Sequence, residues 1–155
     1  MRGFERADAG SVASVEKFLR ASTGEPVVLG TVYLASGRLG RAVATIARAR
    51  AITLGPCVFF AKTDTRPHLS SQVHKALERY RALFVHECVH IWQYRREGQV
   101  SFLRQYLKAY FSGIRKHGSV RRKARHSAYA SIPFEREAFR LEKEWLEMQR
   151  RQRSS

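Results

Sequence analysis

The stretch Ala82–Trp92 reads ALFVHECVHIW and decides how the whole chain is interpreted. His86 and His90 are four residues apart, and on an α-helix that spacing places both side chains on one face. Glu87 lies one position round the helix, where it can reach a water beside the imidazoles but is badly placed as a third ligand. The spacing therefore predicts a helix that presents two imidazoles to one point.

The residues around this motif predict that it is buried. Apart from His86, Glu87 and His90, the stretch contains no strongly polar side chain. A helix that is apolar on all sides is normally buried, and burying two imidazoles and a carboxylate costs free energy unless a partner satisfies them. A metal ion is such a partner, and a chance match of the pattern is the alternative. We therefore predict that His86 and His90 are metal ligands.

A third ligand is expected elsewhere, since four-coordinate catalytic zinc usually takes three protein ligands and one water. The segment 132–139 reads IPFEREAF, and Pro133 suits the first turn of a helix. Glu135 and Glu137 follow, where the helix dipole favours a carboxylate whatever else it does. They flank opposite sides of an apolar stripe, so periodicity does not choose between them. The stripe consists of Phe134, Ala138, Leu141, Trp145 and Met148.

These segments resemble a known class of enzymes. VHECVHIWQYRR (85–96), followed by Phe102-Leu103, Tyr129 and PFEREA (133–138), is similar to zincin metallopeptidases whose third ligand is a glutamate (gluzincin-like). It is similar in particular to small bacterial zincin-like domains, and to peptidase-like domains often attached to bacterial toxins. The resemblance spans about residues 48–148 and implies a minimal zincin-like fold with a Zn²⁺ cofactor.

The resemblance also implies a ligand set. It makes Glu135, three residues before a small alanine, the third zinc ligand, and Glu137 remains the alternative. His117 and His126 are further competitors, each in a loop without a partner motif. The related enzymes commonly carry an Asp one residue after the small residue, as support for a ligand histidine. This chain has Phe139 there, so that role is vacant or filled elsewhere.

The predicted chemistry is hydrolysis of a peptide or protein substrate. Zinc lowers the pKa of its bound water to about 7, and Glu87 would act as general base and pass the proton to the leaving amine. The developing oxyanion needs a donor besides the metal. Tyr129, four residues before Pro133, is the first candidate for this role and His126 the second.

Periodicity along the chain predicts one α+β domain over residues 1–155, with three or four helices and a small β-sheet or hairpin beside the histidine helix. The expected strands are 48–54 and 57–61, joined at Gly55-Pro56, and 26–35 is either a strand or a buried loop. By resemblance, 49–54 or 58–61 could pair with an extended substrate, although an ordinary hairpin needs none. The expected helices are 12–21, about 70–97, 100–114 and 133–150, and a frayed basic tail follows from about 150. The helix 100–114 is expected to bury its apolar and aromatic stripe in the core.

Composition bounds the remaining possibilities. The chain has 155 residues, of which 44% are apolar and 11% aromatic, enough for a core. Cys57 and Cys88 do not make a disulfide framework, which fits a reducing cytoplasm. No apolar run approaches the roughly twenty residues that span a bilayer, so no transmembrane segment is predicted.

The charge is strongly positive and uneven. Lys and Arg number 29 against 13 acids, a net charge of +16. The densest run contains Arg121, Arg122, Lys123 and Arg125, and it could contact nucleic acid, another polyanion, an anionic membrane or an acidic substrate. The alternative is a solvated loop in an arginine-rich proteome.

Besides a cytoplasmic zinc peptidase, two functional classes stay open: an inactive zinc-binding module of this fold, and a basic nucleic-acid-associated zinc protein.

Overall fold

The structure, a computed structural model, describes residues 4–35, 51–60, 70–116 and 128–154 of the chain, with side chains omitted for 70–80 and 116. Its helices and strands, numbered along the chain, are β1 (Phe4–Arg6), α1 (Ala9–Thr23), β2 (Tyr33–Ala35), β3 (Ala51–Leu54), β4 (Cys57–Phe60), α2 (Ser70–Glu97), α3 (Gln99–Lys116) and α4 (Pro133–Ser154). The architecture is α+β, and the small sheet lies beside the helix that carries the histidines, as the sequence predicts.

The sheet has the strand order β1-β2-β4-β3. Strands β3 and β4 form the predicted hairpin, antiparallel with Leu54 opposite Cys57, and Gly55 adopts the positive φ of 59° that the turn requires. Strand β2 runs parallel to β4, and β1 runs antiparallel to β2. Both alternatives for 26–35 are found: Tyr33–Ala35 is a strand, and the loop before it buries Val27, Leu29 and Val32.

Strand position separates the two segments that were expected to pair with a substrate. Strand β4 has a neighbour on both sides, so 58–60 has no free edge, and that half of the expectation is wrong. Strand β3 is at the edge of the sheet among the described residues. Residues 49, 50 and 61 lie outside the described part of the chain.

The helix boundaries follow local signals. Helix α1 starts after Asp8, whose carboxylate accepts a hydrogen bond from the Ser11 amide at 2.7 Å. Helix α2 ends at Glu97 because Gly98 adopts a φ of 77°, and α3 begins at once. Helix α4 continues to Ser154, past the end expected near residue 150. No helix in the described ranges is long and apolar enough to cross a bilayer.

Two apolar clusters stabilise this arrangement. The larger lies between the sheet and helices α1, α2 and α4, and Leu19, Val58, Val85 and Leu141 are almost completely buried in it. The smaller is aromatic and joins α3 to the start of α4 around Phe102. Residues of α2, α3, α4 and β3 therefore meet at one place.

The prediction that the apolar stripe of α3 is core is wrong for half of its residues. Phe102 is buried, but Leu103, Leu107 and Phe111 are 49%, 42% and 62% exposed. The physical reason is that α3 packs on α2 and α4 through one face only. Its other face, although apolar, points away from the protein.

Candidate metal centre

Three buried side chains from two helices converge at this meeting point. His86 and His90 project from one face of α2, and Glu135 reaches them from the first turn of α4. The Glu135 carboxylate lies 3.2 Å from His86 Nε2 and 3.4 Å from His90 Nε2. One donor atom from each residue falls within 4.8 Å of the others, so the group could hold a metal ion.

Close packing of the two helices creates this geometry. Pro133 starts α4, and Glu135 falls in its first turn, where its charge also suits the helix dipole. Ala138 is completely buried, and its small side chain fits a close approach of α4 to α2. The carboxylate of Glu135 is only 2% exposed as a result.

Hydrogen bonds to the far side of each ring fix its tautomer. Glu142, two turns after Glu135 on α4, lies 3.0 Å from His86 Nδ1. A carboxylate only accepts hydrogen bonds, so His86 Nδ1 carries a proton and donates it. In the neutral ring the lone pair of His86 is then on Nε2, which faces Glu135; in the protonated ring Nε2 also carries a proton and donates it to Glu135.

Gln93 fixes the tautomer of His90 in the same way. Its Nε2 donates to the Phe134 carbonyl at 3.0 Å and to Glu137 at 2.8 Å, and both of these partners are acceptors. The amide oxygen of Gln93 must therefore face His90 Nδ1, at 2.8 Å, and accept its proton. In the neutral ring, the Nε2 atom of His90 is left with a lone pair toward Glu135.

The centre therefore contains several hydrogen-bond acceptors close together, and a positive charge would stabilise them. Unless the rings take a second proton, two imidazole lone pairs point at one carboxylate, with Glu87 also buried nearby. No Lys or Arg in the described ranges pairs with Glu87 or Glu135. The distances of 3.2 Å to Oε2 and 3.4 Å to Oε1 of Glu135 bring the three residues close enough to share one ion. Two imidazoles and one carboxylate are a donor set that zinc accepts.

In the metal-free chain, the pKa values of His86, His90 and Glu135 are all shifted toward the charged form. Burial lowers the pKa of His86, but hydrogen bonds to Glu135 and Glu142 outweigh it and raise the value to about 9. The pKa of His90 is also raised, against burial, by its interactions with Glu135. Burial would raise the pKa of Glu135, yet its hydrogen bonds to the two histidines lower it well below the ordinary value.

Glu87 lies beside the ligands and is held by the sheet. The hydroxyl of Thr53, on strand β3, donates to its carboxylate at 2.7 Å. Burial raises the pKa of Glu87, and the nearby histidines and this hydrogen bond oppose the shift. The resulting carboxylate is oriented and close to both rings without occupying the place of Glu135.

Two tyrosines contact the Glu135 carboxylate. The Tyr106 hydroxyl, from α3, donates to Glu135 at 2.8 Å. Tyr129, the predicted oxyanion donor, also interacts with Glu135 and with Tyr106. Burial, followed by the charge of Glu135, raises both tyrosine pKa values, so both hydroxyls stay protonated. The alternative donor His126 and the competing ligand His117 lie outside the described residues.

The alternative ligand Glu137 has other partners. Its carboxylate accepts from Gln93 and forms two hydrogen bonds with the Arg96 guanidinium, at 3.1 and 3.2 Å. Arg96 also lies over the Trp92 ring, 4.4 Å from its centre. Phe139, at the position expected to support a ligand histidine, contacts the His86 ring edge-on, and Glu142 provides the hydrogen bond instead.

Four residues of this centre were not predicted from the sequence: Thr53, Gln93, Tyr106 and Glu142. Gln93 and Glu142 carried a detectable signal, since each lies on the same helix face as a predicted ligand, three residues after His90 and seven after Glu135. Thr53 and Tyr106 carried none, because their contacts depend on how β3 and α3 pack.

Comparison with known proteins finds no matching family model, curated protein or solved structure. The interpretation of the centre therefore depends on its residues and their geometry. Arg121, Arg122, Lys123 and Arg125, predicted as a polyanion contact, lie outside the described residues, and that contact stays a prediction.

Proposed function

We propose that the protein is a zinc-dependent metallopeptidase of the zincin type, with His86, His90 and Glu135 as ligands. The observation that carries this proposal is the convergence of His86, His90 and Glu135 on one point, with the Nδ1 atom of each ring hydrogen-bonded on its far side. Beside them stands a carboxylate, Glu87, that the three-ligand set does not use. A purely structural zinc site needs no such free base.

Each residue of the centre has its own role in the proposed hydrolysis. Bound zinc supplies a Lewis acid that lowers the pKa of a coordinated water to about 7. Glu87, oriented by the Thr53 hydroxyl, accepts the proton of the attacking water and delivers it to the leaving amine. Tyr129, next to Tyr106, donates a hydrogen bond to the oxyanion that develops on the substrate carbonyl.

Substrate would approach along strand β3. This strand is at the sheet edge among the described residues, and it carries Thr53. An extended peptide added to a free edge gains main-chain hydrogen bonds and lies parallel to the row of side chains beneath it. Peptide binding there would place a scissile carbonyl near Glu87.

A second function is supported by the burial of the centre. His86, Glu87, His90 and Glu135 are all less than 8% exposed, and two tyrosines enclose the ligand carboxylate. A site this enclosed also suits a metal-binding module without peptidase activity. The two functions share the ligands and differ in the use of Glu87.

Metal content tests the ligand set. Purified chains are dialysed against trace zinc and their zinc is measured by elemental analysis, for the parent, Glu135→Gln and the matched control Glu137→Gln. We expect about one zinc per chain in the parent and the control, and little in Glu135→Gln. Retention by Glu135→Gln with loss from Glu137→Gln would move the third ligand to Glu137. Zinc that survives His86→Asn would contradict the whole centre.

Turnover tests the peptidase. Zinc-loaded parent and Glu87→Gln are compared on unfolded protein and mixed peptides, with product amines as the readout. Glutamine keeps the size of the side chain and removes the base, so turnover should fall about a hundredfold or more while zinc stays bound. Equal activity in the two chains excludes the mechanism. Zinc binding without any turnover in the parent supports the inactive module.

A further inference from the structure

The outer face of α3 carries a stripe of exposed apolar side chains. Val100, Leu103, Leu107 and Phe111 are 83%, 49%, 42% and 62% exposed. Their spacing of three and four residues places them on one side of the helix. Phe102, on the opposite side, is buried against the protein. We call Val100, Leu103, Leu107 and Phe111 the outer stripe. A contiguous apolar patch of this kind is typical of an interaction surface.

Cations line one side of the outer stripe. Arg104, Lys108 and Arg115 are exposed, and each falls on the same flank of the helix. None of the three has an ion-pair partner in the described ranges, and α3 contains no acidic residue. The surface therefore combines apolar side chains with unneutralised positive charge.

Charge decides between the occupants of this surface. In an antiparallel two-fold pairing with a second copy, the cationic flank of α3 would face the same flank of its partner, and like charges repel. The whole chain carries a net charge of +16, which adds to that repulsion. Charge therefore favours an occupant that is negatively charged and also accepts apolar side chains.

We propose that the outer face of α3 is a binding surface for anionic lipid membranes. A helix that lies in the headgroup region inserts its apolar face to the acyl boundary, while Lys and Arg contact anionic headgroups. The 18 residues of α3, at about 1.5 Å each, give a rod about 27 Å long that can lie flat on such a surface. The outer stripe is exposed from Val100 to Phe111, so these side chains are available to enter such a surface.

This surface is separate from the metal centre. Tyr106, which contacts Glu135, belongs to the inward side of α3, whereas the outer stripe faces away. Substitutions in the outer stripe should therefore leave zinc content unchanged. Zinc content then serves as a control for correct folding, and failure of the peptidase proposal would not affect this one.

Vesicle binding tests the proposal. Zinc-loaded protein is sedimented with phosphatidylcholine vesicles that contain either no anionic lipid or about 30% phosphatidylserine. A chain with this net charge adsorbs to anionic vesicles by charge alone, so the deciding variant is Leu107→Ser/Phe111→Ser, which keeps every charge. Its matched control is Val28→Ser, which removes an apolar side chain that is 62% exposed on a distant loop.

We expect the outer-stripe variant to lose about tenfold or more in partitioning to anionic vesicles, and Val28→Ser to match the parent. Arg104→Gln/Lys108→Gln should lose about thirtyfold, since each surface cation contributes about fivefold. Arg140→Gln/Lys143→Gln, an equal charge change on α4, should reduce this partitioning less.

Equal partitioning of the parent and the outer-stripe variant overturns the proposal. A dimer in solution that the outer-stripe substitutions abolish overturns it in favour of a second copy.

Discussion

Helices α2 and α3 follow each other in the chain and break the usual relation between polarity and burial in opposite directions. In α2, His86, Glu87 and His90 are polar and almost completely buried. In α3, Val100 and Phe111 are apolar and more than half exposed. Both arrangements cost free energy in an isolated chain, the first by desolvation and the second by contact of apolar surface with water.

The two exceptions differ in how strongly they identify a partner. Around α2, two imidazoles and one carboxylate converge on one point and could hold a metal ion. Around α3, only shape, apolarity and charge restrict the partner. Directional contacts therefore restrict the possible ligand more strongly than an apolar cationic face does. The predictions below test this difference, from the largest expected effect to the smallest.

Phe102 and Phe111 separate the two faces of α3 within one helix. Phe102 is buried among aromatic rings, and Phe111 is 62% exposed. We expect Phe102→Ala to lower the free energy of unfolding by about 3–5 kcal/mol, and Phe111→Ala to change it by no more than about 0.5 kcal/mol. Urea denaturation measures both values. Similar losses for the two variants would mean that the outer face is covered in solution.

Metal removal tests the buried face of α2. If free zinc stands at about 100 to 1,000 times its dissociation constant, binding adds about 2.7–4.1 kcal/mol to stability. For a chain of 155 residues, chelation should lower the melting temperature by about 5–15 °C. Differential scanning calorimetry with and without chelator measures the change. The variant His86→Asn is the control, since its melting temperature should not respond to chelator.

Gln93 tests whether the fixed tautomer matters. In Gln93→Met the acceptor for His90 Nδ1 is lost, so zinc affinity should fall about 10–100-fold. Competition with a chromophoric chelator measures the affinity, and nitrogen NMR shifts of the imidazole report the tautomer. Gln105→Met on the exposed surface is the matched control. Unchanged affinity together with an unchanged tautomer would show that Gln93 only packs.

The pH dependence is the smallest effect and has a defined sign. In the metal-free chain the pKa of His86 is raised to about 9, from an ordinary value of 6.5. Its protonated form therefore stabilises the fold fully below about pH 6.5, and that stabilisation is lost as the pH rises through about 9. Zinc requires the unprotonated ring. The increase in melting temperature caused by zinc should grow between pH 6 and pH 9.

Melting curves with zinc and with chelator at each pH measure this increment. Glu142→Gln removes one of the contacts that raise the His86 pKa, so the metal-free chain of this variant should depend less on pH. A zinc increment that shrinks as the pH rises would contradict the proposed competition between metal and proton at His86.

Features that depend on local sequence were predictable. The i, i+4 spacing of His86 and His90, the apolar surroundings of α2, the glycine after it and the turn between β3 and β4 involve residues close in the chain. Their geometry follows from helix and strand periods alone. The α+β layout and the first half of the metal centre therefore came from the sequence.

Features that depend on long-range packing were not. The three-residue strand β1 and the parallel pairing of β2 with β4 have no local signature. Periodicity left the choice between Glu135 and Glu137 open, although the resemblance favoured Glu135. The rotation of α4 against α2 directs Glu135 to the histidines and Glu137 to Gln93 and Arg96. Amphipathic periodicity places the two glutamates on the two flanks of the apolar stripe of α4, but it does not predict which flank faces a neighbouring helix.

By itself, the sequence determined that two imidazoles and a carboxylate lie on one buried helix, since backbone geometry fixes where residues four apart project. The tertiary structure alone decided which groups surround them: Glu135 as the converging carboxylate, Glu142 and Gln93 behind the rings, and Thr53 on Glu87. It also decided that half of the apolar surface of α3 stays exposed. These outcomes depend on how elements distant in the chain pack together, and that packing is set by the fit of whole surfaces.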